Sequence, residues 1–151
     1  GTQIDAPTAA DLAEAAKAEA QRADIVLMAA AVADFRPAEA QTEKRPRTDV
    51  WDLRLEPTED VLAGIAQNRR DGQLIVGFAA EDSEDIARAR QKRERKGVDL
   101  IVLNDISDPA QGFDSDDNAV VLVGASDETR VARAPKPQIA AAILDRVEAL
   151  V

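Results

Sequence analysis

Apolar positions change period several times along the chain, and each change marks a boundary between elements. Ala9 to Gln21 is alanine-rich, and Thr8 with Asp11 has the form of a capping box, which predicts a helix. Asp24 to Ala31 is short, partly β-branched and apolar on both parities, which predicts a central parallel strand covered on both faces. From Ala33 to Thr48 the periodicity disappears, Pro37 and Pro46 interrupt the chain and charges cluster at Glu43 to Arg47, so this stretch reads as a loop or flap. Val50 to Leu55 alternates apolar and polar, the pattern of a half-exposed strand at an edge or in a subunit contact. Thr58 is the expected N-cap of a helix to about Asn68, with Glu59 and Asp60 in its first turn, where the helix dipole favours acids.

The second half repeats the rhythm. Gln73 to Ala79 and Val98 to Leu103 read as buried strands, separated by a charged helix that Ser83 caps and Gly97 ends after Lys96. Beyond a loop from Asn104 to Asn118, Ala119 to Val123 and Thr129 to Ala132 form a predicted hairpin around Gly124 to Glu128. Pro137 opens a last helix to Leu150, with Ile139, Ile143, Val147 and Leu150 on one face. Strands alternating with helices predict one α/β domain over residues 1–151, Rossmann-like and three-layered, with a mostly parallel sheet and a C-terminal antiparallel hairpin. Ligands in such sheets sit at the carboxyl ends of the strands, which directs attention to residues 29–36, 78–81 and 103–118.

Composition narrows the chemistry. A formal net charge of −10 disfavours a general nucleic-acid or anionic-membrane surface, so a phosphate site has to be a local basic pocket. The chain has no cysteine and no histidine, which removes thiol nucleophiles, disulfides, imidazole bases and most zinc sites. Asp, Glu, Lys, Arg and backbone groups remain. No apolar run approaches the roughly 20 residues of a membrane span and the start lacks the order of a signal peptide, so a soluble, cytoplasmic protein is expected.

Neither Gly-x-Gly-x-x-Gly nor Gly-x4-Gly-Lys-Ser/Thr occurs, which disfavours an ordinary dehydrogenase or a P-loop enzyme. The small side chains of Ala29 to Ala31 at a strand end leave backbone open to a flat ligand, and Asp34 would sit at the mouth, able to hold a divalent cation or a hydroxyl. Equally, the alanines permit close packing and Asp34 is a solvated acid. Lys44, Arg45 and Arg47 read either as a flap closing over a triphosphate or as solvated charge. Lys92 and Lys96, four apart, share a helix face and either point at one anion or belong to a mixed-charge surface. Asp105, Asp108, Asp114, Asp116 and Asp117 do not have EF-hand spacing and read as a structured loop shaping the site more than as a metal cage. Phe78 is core or ligand wall with equal weight.

In order, Met28-Ala-Ala-Ala-Val-Ala-Asp-Phe-Arg-Pro37, Lys44, Val76-Gly-Phe-Ala-Ala-Glu81, Gln91-Lys-Arg-Glu-Arg-Lys96, Leu103-Asn-Asp and Gln111-Gly-Phe-Asp-Ser-Asp-Asp-Asn118 closely resemble the phosphopantothenoylcysteine synthetase family, also called phosphopantothenate-cysteine ligase. The resemblance implies a cytoplasmic, Mg²⁺-dependent ligase of coenzyme A biosynthesis that joins 4'-phosphopantothenate to cysteine with CTP through an acyl-cytidylate. It implies nucleotide contacts at Ala30, Asp34, Lys44, Glu59, Asp60, Val61, Leu62, Phe78, Lys92 and Lys96, with Asp34 as the metal-side acid and Lys44 as the catalytic lysine of the flap. It also implies a homodimer formed through the 50–55 strand region, and a natural fusion behind a flavin-dependent decarboxylase.

Two departures stand out. The flap reads Lys44-Arg-Pro-Arg47 where many relatives have Lys-x-Lys-Lys, and the helix start reads Thr58-Glu-Asp-Val61 where some have Asn-Pro-Asp-Ile. Family members also begin with a Gly-rich turn and a Thr-Asn-x-Ser-Ser-Gly loop not found in this sequence, so the chain by itself is expected to lack ligase activity. The alternative reading is a nucleotide-binding or dimerisation module without catalysis.

Overall fold

The computed structural model describes residues 1–39, 52–81, 84–105 and 116–151. Its elements run α1 (Ala9–Ala20), β1 (Ile25–Met28), β2 (Phe35–Pro37), β3 (Leu55–Pro57), α2 (Val61–Gln67), β4 (Leu74–Glu81), α3 (Ile86–Lys96), β5 (Leu100–Asp105), β6 (Asp117–Val123), β7 (Glu128–Pro135) and α4 (Lys136–Glu148). The capping box forms as the sequence predicts: the Asp11 amide donates to the Thr8 hydroxyl and the Thr8 amide donates to the Asp11 carboxylate. Gly97 ends α3 at φ 70°, a left-handed conformation that glycine adopts without a Cβ penalty.

Five strands make one sheet in the order β1-β4-β5-β6-β7. β1, β4 and β5 pair in parallel, and β6 and β7 follow as an antiparallel hairpin. Because β6 opposes β5 and β7 opposes β6, four of the five strands point the same way. The expected α/β architecture is therefore present, with helices on both faces. Ile75 and Ala79 of β4, with Ile101 and Leu103 of β5, pack under α1, α2 and α3. On the other face, Val76, Leu100, Val102 and Leu122 pack under Ile139, Ile143 and Val147 of α4. β4 and β5 are buried on both faces, which is why they read as continuous apolar runs. Gly77 gives α2 room to pack on β4, since a Cβ there would lie 2.7 Å from Leu62 Cδ2 and 3.0 Å from Ile101 Cδ1 and those side-chain tips would have to shift.

Several expectations are corrected. β1 is at an edge of the described sheet, not at its centre, and alternates between exposed and half-buried. Its apolar run reflects packing of Val26 and Met28 on one face, while Ile25 and Leu27 remain 40% and 43% exposed on the other. The stretch 33–48 is not all loop, since Phe35–Pro37 pairs with Leu55–Pro57 in a separate two-stranded sheet. The strand predicted at 50–55 thus begins later, at Leu55, although the Ala38 amide still donates to the Arg54 carbonyl at 2.9 Å. Residues 40–51 lie outside the described residues.

The N-cap of α2 is Asp60, not Thr58, because the Asp60 carboxylate accepts from the Ala63 amide at 3.1 Å. Thr58 is instead tied backwards, its amide to the Asp34 carbonyl at 2.9 Å and its hydroxyl to the Ala33 carbonyl. Asp85 caps α3, and Ser83 lies outside the described residues. Leu150 follows α4 and is exposed, whereas Ile139, Ile143 and Val147 are buried as expected.

Candidate functional site

The carboxyl ends of β1, β4 and β5 open onto a cavity of about 450 Å³ on the α4 side of the sheet. Its walls include Ala29, Ala30 and Ala31 after β1, Phe78 and Ala80 of β4, and Ile139 and Ile143 of α4. Asn104, Asn118 and Lys136 bring polar groups to the same space. The Asn104 Oδ1 is buried and accepts no hydrogen bond among the described residues, which leaves one acceptor for a donor brought by a ligand. Phe78 resolves the choice between core and wall by serving as both: it packs against the α4-side cluster and lines the cavity. A mostly apolar concavity with a few convergent polar groups, at the ends of parallel strands, is the usual form of a small-molecule site in this architecture.

The other candidate residues gather on the opposite face. Strand parity separates them: Phe78 points to α4, whereas Glu81, three positions on, points to α3. Lys92 Nζ lies 3.6 Å from one Glu81 oxygen and Arg88 lies 3.3 Å from the other. Lys96 donates to the Asp60 carboxylate across the gap between α3 and α2. The two lysines do not share one anion within the described chain; each has its own carboxylate, which removes the repulsion expected of like charges four apart. Burial pushes the Asp60 carboxyl up, but hydrogen bonds from Lys96 and the Ala63 amide, with the Lys96 and Arg95 charges, outweigh it and hold the group below its ordinary value.

Glu59 pairs with Lys17 of α1. The Val61 side chain is buried and Leu62 packs over Gly77, so both are committed to the core and offer a ligand only their backbone. Asp34 is exposed, next to Thr58 through its own carbonyl. Lys44, expected from the resemblance to be the catalytic lysine, lies outside the described residues, as do Arg45, Arg47, Asp108 and Asp114. Of the remaining loop acids, Asp117 is 3.6 Å from Arg133. Among the described residues no group of three or more acidic side chains is placed to hold a metal ion.

Ala30 and Phe78 therefore meet in one cavity, while Lys92 and Lys96, a turn apart on α3, pair separately with Glu81 and Asp60. The residue reading did not single out Glu81, Asn104 and Asn118 as individual contacts, nor Lys136. Parity along β4 was a signal for Glu81, since the residue after Ala79 and Ala80 had to return to the helix face that carries Lys92. Lys136 had no signal of its own, because its place depends on how the hairpin delivers α4.

Residues 2–150 match the family described as DNA/pantothenate metabolism flavoprotein C-terminal domain. The chain is 40% identical over 124 residues to the Coenzyme A biosynthesis bifunctional protein CoaBC of Escherichia coli strain K12, which covers 80% of this chain and 30% of that protein. It is 35% identical over 150 residues to a protein of an unknown prokaryotic organism named Cysteine/Cysteine sulfinic acid decarboxylase, covering 98% of this chain and 42% of the relative. The chain thus spans less than half the length of these relatives. The crystal structure of the C-terminal domain of CoaBC superposes with a TM-score of 0.74 at 30% identity, over 99% of this chain and 66% of that one.

Proposed function

The chain belongs to the DNA/pantothenate metabolism flavoprotein C-terminal domain family, and on that premise we propose that it carries the nucleotide site of a CTP-dependent phosphopantothenate-cysteine ligase of coenzyme A biosynthesis. The observation that carries the proposal is the joining of Ala30 and Phe78 in one cavity at the strand ends, in a chain homologous to the C-terminal domain of CoaBC.

In this reading the 4'-phosphopantothenate carboxylate attacks the α-phosphorus of CTP, the bond to pyrophosphate breaks and an acyl-cytidylate forms. The cysteine amine then attacks the acyl carbon and CMP leaves. Both steps gather negative charge, so positioning and charge neutralisation suffice, and the lack of histidine is no obstacle. Ala30 and Phe78 would hold the flat part of the nucleotide. Lys92, Lys96 and the flap lysine Lys44 would meet its phosphates, with the amides of Asp60, Val61 and Leu62 and the Glu59 segment bordering them. Asp34, an exposed carboxylate, would hold a Mg²⁺ that takes its other ligands from phosphates and water, as magnesium commonly does. When bound, the ion supplies charge neutralisation on the triphosphate.

No helix among the described residues is long and apolar enough to cross a membrane; a cytoplasmic location is part of the proposal. So is a homodimer. Phe35 and Leu55, at 60% and 51% exposure, stand beside Pro37 and Pro57 on one face of the two-stranded β2–β3 sheet, which favours self-association there and supports the alternative of a dimerisation module. The bifunctional and decarboxylase names of the relatives support a natural fusion to a flavin-dependent decarboxylase.

Calorimetric titration with CTP, ATP and NAD, each with and without Mg²⁺, tests the proposal. Mg²⁺-dependent binding of CTP ahead of the other two is expected, and a preference for NAD would overturn it.

A further inference from the structure

Family resemblance places Asp60 among the nucleotide contacts, yet its chemistry in the structure points elsewhere. One carboxylate oxygen accepts from the Ala63 amide at 3.1 Å and caps α2; the other accepts from Lys96. An ionised carboxylate only accepts hydrogen bonds, so it has no donor for a phosphate, and both of its oxygens are already engaged within the protein. We infer that Asp60 is a positioning residue for Lys96: the capped helix start holds the carboxylate, and the carboxylate holds the lysine ammonium where a nucleotide phosphate arrives.

This inference rests on the proposed nucleotide site and deepens it. Lys96 is the last residue of α3, and a lysine side chain carries four rotatable bonds whose freedom is lost on binding an anion. Its side chain is only 19% exposed and is already tied to α2 before any ligand is present, so part of that loss has been met in folding. An ammonium has three donors and Asp60 takes one, which leaves two for phosphate oxygens. The negative charge of Asp60 also opposes a phosphate, but its carboxylate is 46% exposed and water screens that repulsion. Held position outweighs screened repulsion. Lys92 differs, since its 3.6 Å separation from Glu81 is beyond a good hydrogen bond and Glu81 is shared with Arg88.

Asparagine caps helices about as well as aspartate, so Asp60→Asn keeps the α2 cap and removes the charged partner of Lys96. The test is calorimetric titration of CTP with Mg²⁺ into the wild-type chain, Asp60→Asn, Lys96→Gln and the double variant, with urea unfolding to confirm the fold of each. Expected are roughly fivefold weaker binding for Asp60→Asn, a larger loss for Lys96→Gln, and a double variant no weaker than Lys96→Gln alone, because Asp60 acts only through Lys96. Unchanged or tighter binding by Asp60→Asn, or additive losses in the double variant, would overturn the positioning role. Loss of binding already in the wild-type chain would overturn the nucleotide reading itself, and with it this role, and is told apart by the wild-type titration alone.

Discussion

The cavity under α4 and the charged cluster between α2 and α3 lie on opposite faces of the same strands, and they are built by different forces. The cavity is shaped by packing: Phe78, Ala30 and the α4 side chains form its walls whatever the salt concentration. The cluster is shaped by ion pairs, Lys92 facing Glu81 and Lys96 facing Asp60, so it is held by charge more than by close packing. A ligand that uses both halves would have an apolar end and a polyanionic end, which is the chemistry of a nucleoside triphosphate. Both halves reach the carboxyl end of β4, where Phe78 and Glu81 turn to opposite sides of the sheet.

The largest effect should come from breaking what both halves share. Gly77→Val drives methyl groups into Leu62 and Ile101 and should cost about 3 kcal/mol of stability, read as a lowered urea midpoint, by overpacking the contact between α2 and β4. An unchanged midpoint would mean that α2 is not seated as described. Phe78→Ala should cost about 2 kcal/mol, less than a fully buried phenylalanine because the ring is half-buried, and should weaken CTP binding at high and low salt alike. Lys96→Gln acts on the other half: stability should change by less than about 1 kcal/mol, while CTP affinity falls and its salt dependence flattens.

The smallest effect is a pH dependence. The Asp60 carboxyl is held below its ordinary value of 3.8, so its pairing with Lys96 stabilises the fold fully above that value and the contribution is lost as pH falls through the lowered folded value. The difference in urea midpoint between the wild-type chain and Asp60→Asn should therefore be present at pH 7 and shrink below pH 3.8. A difference that grows on acidification contradicts the assignment.

Much of this was legible in the residues. Continuous apolar runs marked β4 and β5 because both of their faces are covered, and Thr8 with Asp11 marked the start of α1 because the cap is local chemistry. β1 misled because its apolar residues do not tell a strand with two neighbours from one with a single neighbour; only the pairing decides, and among the described strands it pairs with β4 alone. Thr58 misled for a similar reason, being a good cap by type that is instead tied to the Asp34 and Ala33 carbonyls beside β2, leaving Asp60 to cap. That Ala30 and Phe78 line one cavity agrees with the rule for strand ends. The division of labour between Asp60 and Lys96 did not, since residues 36 apart in sequence are brought together only by the packing of α2 on α3.

The most direct test of the account is nuclear magnetic resonance of the isotope-labelled chain titrated with CTP and Mg²⁺, following backbone amides and lysine side chains. The account predicts that Ala30 and Phe78 shift together with Lys92 and Lys96, along one saturation curve. Shifts confined to one face of the sheet, or centred on the groove that Gln21 and Asn68 line between α1 and α2, would contradict a single nucleotide joining the two halves.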